Sequence, residues 1–459
     1  MGKNSRPKIY DYDLIVIGSG AGGGVAAHIL NREGKKVAIV EEEAVGGECP
    51  NFGCVPTKAL ITSADTYEIA KTASEFGINV SSVSYNYSAV KKWKDLAVER
   101  TGVKEGDKAY RADGIDVIEG RAHFLDNHTI NVNKQRYSAK KFLVATGTSD
   151  FIPPIDGLIE SGFIRYKEAL ELSKPPKSLL IVGGGAIGCE FAHIFSTFGS
   201  KVTIAEYAPR LLAREDSSAG DELQKIFEKR GLDIHVGTEV FKVALENGKK
   251  CVSLRSGGRE HIIRVDEIMI ATGKMPNTDL GLENARVAFT KRGITVNSRM
   301  QTTNPNIYAA GDVVGPYAFT HMASYQSRIA ANNMLHSKKI EADYSAVPRC
   351  VFTLPEVAAV GLTESEAIAQ KIKINTATTP ISIIGRANTS NFNDGFVKVI
   401  SDKNGVLIGA TIVSPRAGEM IHELVLAVRL GLTAGDIADT IHAFPTWSEA
   451  VRIACRNLV

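Results

Sequence analysis

The first apolar run, "DLIVIG" (13–18), turns through glycines into "GVAAHIL" (24–30), and a second run, "KKVAIVE" (35–41), follows. Four to six apolar residues ending at glycine predict a buried strand, and the longer apolar stretch behind it predicts a helix. A second parallel strand then closes a strand–helix–strand unit. The same pattern returns 165 residues later as "SLLIVGGGAIGCEFAHI" (178–194) and "KVTIAE" (201–206), with even the "AHI" of the helix repeated. A repeat on this scale predicts two copies of one α/β unit.

Glycine spacing gives the unit a chemistry. Gly18, Gly20 and Gly23 stand at G-x-G-x-x-G positions, and Gly183, Gly185 and Gly188 match them. Such glycines make a tight turn and let backbone N–H groups approach a pyrophosphate at the helix N-terminus. Glu41 and Glu206 each lie 18 residues past the last glycine of their set, at the end of the next strand, where a carboxylate accepts hydrogen bonds from a ribose. Two dinucleotide sites are therefore expected. Glu206 favours NAD over NADP, because a carboxylate repels a 2′-phosphate; Arg210, four residues on, works against that preference.

Composition narrows the class without changing it. The chain has 459 residues, enough for about three domains. It is 44% hydrophobic and 23% charged, with a formal net charge of +3, too small to suggest a polyanionic partner such as nucleic acid. The opening "MGKNSRPKIYDYD" lacks the apolar core of a signal peptide, and Arg6 occupies the position where a myristoylation signal needs serine or threonine. No apolar stretch reaches membrane-spanning length, so a cytoplasmic protein is expected.

Of six cysteines, only Cys49 and Cys54, in "VGGECPNFGCVPTK" (45–58), are close in sequence. Neither a disulfide framework nor a four-ligand zinc site fits that distribution, and no metal site is expected. Five residues of regular helix would hold Cys49 and Cys54 about 7.5 Å apart along the axis, whereas disulfide Cα atoms stand at most about 7 Å apart. Closing the pair needs a distorted turn, which Pro50 at the first helical position and Gly53 could supply. A bond held in such a turn near a helix N-terminus is suited to being reduced, not to stapling the chain.

These residues resemble the class I flavoprotein disulfide reductases, which include dihydrolipoamide dehydrogenase, glutathione reductase and mercuric ion reductase. "GGECPNFGCVPTK" resembles their redox-active motif, while "VATGT" (144–148) and "IATGKMPN" (270–277), with Gly147 and Gly273, resemble two strand-to-turn junctions. "TTNPNIYAAGDVVG" (302–315) resembles the second flavin motif, and "VPRCVFTLPEVAAVGLTE" (347–364) the start of the dimerisation domain.

The resemblance implies an α/β chain with two Rossmann-like domains binding FAD (1–150 and 275–345) and NAD(P) (151–274), plus a C-terminal α+β dimerisation domain (346–459). It implies a homodimer and electron flow from NADH through FAD to a Cys49–Cys54 disulfide. Cys54 would face the flavin, and Cys49 would be the exposed thiol that exchanges with substrate. Asp312 would hold the ribityl chain, and Lys58 and Glu190 would pair beside the flavin. A helix starting near Thr320 and His321 would point its positive end at it, with His321 capping that end or moving a proton.

The C-terminal motif departs from the family. Where the disulfide-reducing members carry a histidine before the proline of "HPT…E", this chain reads "IHAFPTWSEA", with Phe444 in its place and Glu449 retained. His442, two residues upstream, shares a face with that position in extended chain and could substitute; it could equally be a packing histidine. A soft metal ion needs no such base, because two thiolates bind it directly. Yet only Cys455, not a cysteine pair, stands near the C-terminus. The expected activity is an NADH:disulfide oxidoreductase nearest to dihydrolipoamide dehydrogenase, acting on a small-molecule or lipoyl disulfide. The alternatives are a mercuric-reductase-like metal ion reductase and a low-turnover NADH-binding flavoprotein that acts as a sensor or assembly partner.

Overall fold

The computed structural model describes residues 9–459; Met1, Gly2 and Arg6, read above for a targeting signal, lie outside them. Six helices matter below: α1 (Ala21–Arg32), α2 (Cys54–Thr72), α3 (Ala186–Thr197), α4 (Thr320–Leu335), α5 (Ala417–Leu430) and α6 (Glu449–Arg456). The chain divides into two compact units.

The first unit comprises the chain up to Pro56, Lys94–Phe151 and Lys274–Asp343. Its seven-stranded sheet centres on strand Tyr12–Ile17, which pairs in parallel with Val37–Glu41 on one side and Gln135–Val144 on the other. Leu14–Ile17 are buried throughout, as a strand covered on both faces must be. Strand Gln135–Val144 does two jobs. Its later half lies in the parallel sheet, also pairing with Ile307–Ala309, and its earlier half turns into an antiparallel meander with Thr129–Val132 and His123–Asp126. Phe124 and Phe142 meet edge-on in this core, with ring centroids 5.1 Å apart.

The second unit comprises Thr57–Trp93, Ile152–Gly273 and Tyr344–Val459. Four parallel strands run in the order Asp233–His235, Lys201–Ala205, Ser178–Val182, Glu267–Ile270, repeating the centre of the first sheet, and an antiparallel meander covers Thr238–Val265. The C-terminal part is a five-stranded antiparallel sheet whose core includes Val397, Val399, Ile412, Leu424 and Val451, with α5 and α6 packed against it.

Ion pairs link Ile152–Gly273 to Tyr344–Val459. Arg349 Nε donates to both oxygens of Glu215, at 3.1 and 3.0 Å, and Lys398 reaches both oxygens of Asp216 at 3.0 Å. Breaking such a pair from one side leaves an uncompensated buried charge, so the contacts hold the two segments as one body. Among the described residues no helix is long and apolar enough to cross a membrane.

Candidate functional site

Both glycine-rich turns are built alike. A Cβ on Gly18 would stand 2.3 Å from the Ala145 carbonyl oxygen, and one on Gly23 would stand 1.9 Å from that of Gly18. In the second turn the matching distances are 2.4 Å from Gly183 to Ala271 and 2.0 Å from Gly188 to Gly183. Packing alone forces glycine at these four places. The middle glycines differ. A Cβ on Gly20 would find only Gly47 Cα, at 3.7 Å, and one on Gly185 would meet nothing within 4 Å.

Gly20 and Gly185 are also the N-terminal caps of α1 and α3, with no side-chain cap and no acid in the first turn. The glycine that packing does not require is thus the one at the open helix end. That is the arrangement a pyrophosphate needs, and the residues present fit FAD at the first turn and a pyridine nucleotide at the second.

The two carboxylates are fixed by these turns. Glu41 accepts from the Ser19 N–H (2.8 Å) and hydroxyl (2.6 Å), and its other oxygen accepts from the N–H groups of Glu42 and Glu43. Glu206 accepts from the N–H of Gly184 and, at 2.7 Å, from that of Ala208. Arg210 turns away towards Asp221, 3.9 Å from its Nε. Gly147 and Gly273 both take positive φ, +63° and +106°, at their strand-to-turn junctions.

The cysteines lie on a broken helix. A one-turn helix, Glu48–Asn51, carries Cys49; the chain then breaks at Phe52-Gly53, and α2 begins at Cys54. Pro50 is the third residue of the short helix, not the first; its missing N–H falls among those with no intrahelical partner in either place. Gly53 presses on the first cysteine, since a Cβ there would stand 3.2 Å from Cys49 Cα. Cys49 is half-buried and Cys54 is exposed in the single chain.

The start of α4 reaches the pair: Thr320 Oγ1 lies 3.6 Å from Cys54 Sγ. The positive ends of α2 and α4 thus converge on these sulfurs and favour a thiolate there. The Cys49 thiol is pushed well up, chiefly by its hydrogen bond to Cys54 and then by burial. His321 stacks on Phe319, with ring centroids 5.2 Å apart. Nearby, Glu48 pairs with Lys274, and burial together with the Glu48 charge raises the Asp312 carboxyl to about 6.

Lys58, one turn along α2 from Cys54, meets Glu190 of α3, with Nζ 2.9 and 2.8 Å from the two oxygens. Sequence reading missed the third member. The Phe352 N–H donates to Glu190 at 3.0 Å, and the Phe352 ring lies under the Lys58 ammonium, 4.5 Å from Nζ to centroid.

In the C-terminal motif Phe444 is 76% exposed and Ile441 is 96% exposed. His442 is tucked in: Nδ1 lies 2.9 Å from the Thr440 carbonyl oxygen and Nε2 lies 2.9 Å from Glu423 Oε2. Glu449 Oε2 is buried with no hydrogen-bond partner, which is unusual for a carboxylate. Cys455 is fully buried in the α5–α6 core, where burial and Glu423 push its thiol up to about 12.

Residues 12–327 match the pyridine nucleotide-disulphide oxidoreductase family, and residues 347–455 match its dimerisation domain. The chain belongs to this family. It is an FAD-dependent pyridine nucleotide-disulfide oxidoreductase, with two nucleotide-binding domains followed by the dimerisation domain that supports homodimer formation. Among its relatives, the mercuric reductase of Staphylococcus aureus is 36% identical over 97% of this chain and 82% of its own length. The dihydrolipoyl dehydrogenase of Geobacillus stearothermophilus is 37% identical over 95% of this chain and 94% of its own. A solved Cu(II) complex of the HOCl-induced flavoprotein disulfide reductase RclA from Escherichia coli superposes with a TM-score of 0.87. It is 31% identical and covers 98% of this chain and 100% of that one.

Sequence signals for an oxidoreductase of this family were therefore strong, and those missed were of one kind. Phe352, Glu423 and Thr440 act through main-chain atoms or as partners of a flagged residue. For Phe352, the position just after "RCV" in the dimerisation segment carried no chemical signal at all.

Proposed function

We propose that the protein is an NADH-dependent flavoprotein reductase whose Cys49–Cys54 pair delivers electrons to a thiophilic metal ion, not to a lipoyl disulfide. The observation that carries this reading is the engagement of His442. Both of its ring nitrogens face acceptors within its own chain, Thr440 and Glu423, and Phe444 holds the place of the usual base. Exchange with a dithiol needs a group to move its protons, whereas two thiolates capture a soft cation without one. The relatives include a mercuric reductase, and the RclA structure contains Cu(II). Cys455 is buried, so the ion would reach the Cys49–Cys54 pair without a C-terminal carrier.

When bound, FAD relays two electrons from the reduced pyridine nucleotide to the Cys49–Cys54 disulfide. The chain's own residues arrange everything around that transfer. N–H groups at the starts of α1 and α3 hold the two pyrophosphates, while Glu41 and Glu206 accept from the riboses, Glu206 selecting NADH by charge. Lys58 and Glu190 set the charge beside the flavin, and Asp312 binds its ribityl chain. Opening the disulfide leaves Cys54 as the thiolate at the start of α4 and Cys49 as the exchanging thiol, whose proton would pass to water as a soft cation displaces it. Re-forming the sulfur–sulfur bond returns two electrons, enough to reduce one mercuric ion or two cupric ions.

A disulfide acceptor is the second reading, supported by the dihydrolipoyl dehydrogenase relative and by Glu449, which is retained and unpaired. Steady-state NADH oxidation with mercuric ion, cupric ion and lipoamide in turn separates the two. The proposal expects metal-dependent turnover to exceed lipoamide turnover, and expects His442→Ala to leave the latter within about twofold, against the 10²–10⁴-fold of a working base. Phe444→His, beside the waiting Glu449 carboxylate, should raise lipoamide turnover by about tenfold or more. Rapid lipoamide turnover in the native protein that collapses in His442→Ala would reverse the assignment.

A further inference from the structure

An ammonium on a four-carbon stem is not fixed by one carboxylate, because the stem has many rotamers that keep a single ion pair. Lys58 is about a third exposed and therefore free to use them. Phe352 removes that freedom from two directions. Its N–H donates to Glu190 Oε1 at 3.0 Å, aiming the carboxylate, and its ring face stands 4.5 Å from Lys58 Nζ, giving the ammonium a second attractive surface.

Phe352 is itself held on both sides. Three residues before it, Arg349 is locked to Glu215 at 3.0 and 3.1 Å. Four residues after it, Glu356 accepts from the Gly418 N–H at 2.8 Å, in the first turn of α5. The ring edge also rests near Gly418, where a Cβ would lie 3.8 Å from Phe352 Cε1. The opening segment of the dimerisation domain is thus anchored to the nucleotide-binding half and to α5, with Phe352 between the anchors.

We propose that Phe352 is a positioning residue for the reductive half-reaction, fixing the Lys58 ammonium and the Glu190 carboxylate in one arrangement through its ring face and its backbone N–H. The inference rests on the reading of Lys58 and Glu190 as the pair beside the flavin, and it holds for any final acceptor. Phe352→Leu keeps the N–H and most of the bulk but removes the ring, whereas Phe352→Tyr keeps the ring.

The test uses the FAD-loaded protein with two readouts. One is anaerobic flavin reduction by NADH in stopped flow. The other is acetylation of Lys58 by an amine-reactive ester, quantified by peptide mass spectrometry, which needs no turnover. Phe352→Leu should slow flavin reduction roughly three- to tenfold and speed Lys58 labelling by a similar factor, as expected for losing a partly desolvated cation–π contact. Phe352→Tyr should restore both to near the native values, and Phe352→Met carries the same expectation as leucine should that variant not retain flavin.

If Lys58→Met slows flavin reduction while Phe352→Leu changes neither readout, the positioning role is wrong. If Phe352→Tyr is as impaired as Phe352→Leu, the residue only packs, and the proposal fails. If Lys58→Met itself leaves flavin reduction unchanged, the reading of the Lys58–Glu190 pair fails, and this inference with it.

Discussion

Two glycines three residues apart in the second nucleotide turn should respond in opposite ways to the same added methyl group. A Cβ on Gly188 would stand 2.0 Å from the Gly183 carbonyl oxygen, well inside any tolerable contact, so helix α3 must move off its strand. Overpacking against side chains costs about 1–3 kcal/mol, and here the obstacle is backbone, so Gly188→Ala should sit at or above that range. A Cβ on Gly185 meets no atom within 4 Å, and its φ of −77° is open to alanine. Replacing glycine by alanine at a helix cap costs about 1 kcal/mol at most.

Gly185→Ala should instead hold the pyrophosphate away from the α3 N-terminus. Losing one such charge-assisted hydrogen bond is worth about 1.5–3 kcal/mol, which corresponds to roughly 10- to 100-fold in NADH affinity at about 1.4 kcal/mol per tenfold. The assays are thermal unfolding of the FAD-loaded protein and NADH titration. Gly188→Ala should lower the unfolding temperature; Gly185→Ala should leave it nearly unchanged while weakening NADH. If Gly185→Ala binds NADH as the native protein does, or if the two variants unfold alike, the cradle reading is refuted.

Anaerobic NADH should produce a long-wavelength absorption band from a Cys54 thiolate beside the flavin. Cys54→Ser should lose the band, Cys49→Ser should keep it while failing to turn over, and full activity in both would end the disulfide mechanism. Glu206→Gln should narrow the preference for NADH over NADPH, and a native kcat/KM higher for NADPH would overturn the assignment of Glu206. Burial raises the Glu356 carboxyl from 4.5 to about 7; the folded protein then binds the extra proton between those values, so stability falls as pH rises through them. Glu356→Gln should flatten that fall in unfolding curves taken from pH 5 to pH 8, and an unchanged slope would assign the titration elsewhere.

What the sequence made legible is what backbone constraints write locally. Gly18, Gly23, Gly183 and Gly188 are dictated by carbonyl oxygens within two sheet–turn–helix units, so spacing alone exposes them. The cysteine turn was legible for the same reason, although Pro50 lies two residues deeper in the short helix than its spacing suggested. The rest depended on chain segments far apart. Phe352 meets Lys58 and Glu190 across 294 and 162 residues, and its contribution to Glu190 is a main-chain N–H that every non-proline residue carries. The partner of His442 was hidden because Glu423 lies midway along an amphipathic helix, where a carboxylate ordinarily faces solvent. The burial of Cys455 was a packing outcome: α6 places it on the same face as Val451 and Ala454.

The departures from the family pattern fall on one side of the chemistry. The groups expected to bind the nucleotides and flank the flavin keep their supports: both glycine turns, Glu206 on two N–H groups, and Lys58–Glu190 with the Phe352 N–H on the carboxylate. The cysteine pair retains two helix ends to favour a thiolate. Only the groups that would move protons on the acceptor side are altered, with Phe444 exposed in place of a base and His442 bound to Glu423. A protein that merely sensed NADH would have no use for a cysteine pair set beside a helix N-terminus. On the proposed reading, an acceptor that takes electrons through sulfur without taking a proton would account for both the intact reductive half and the missing base.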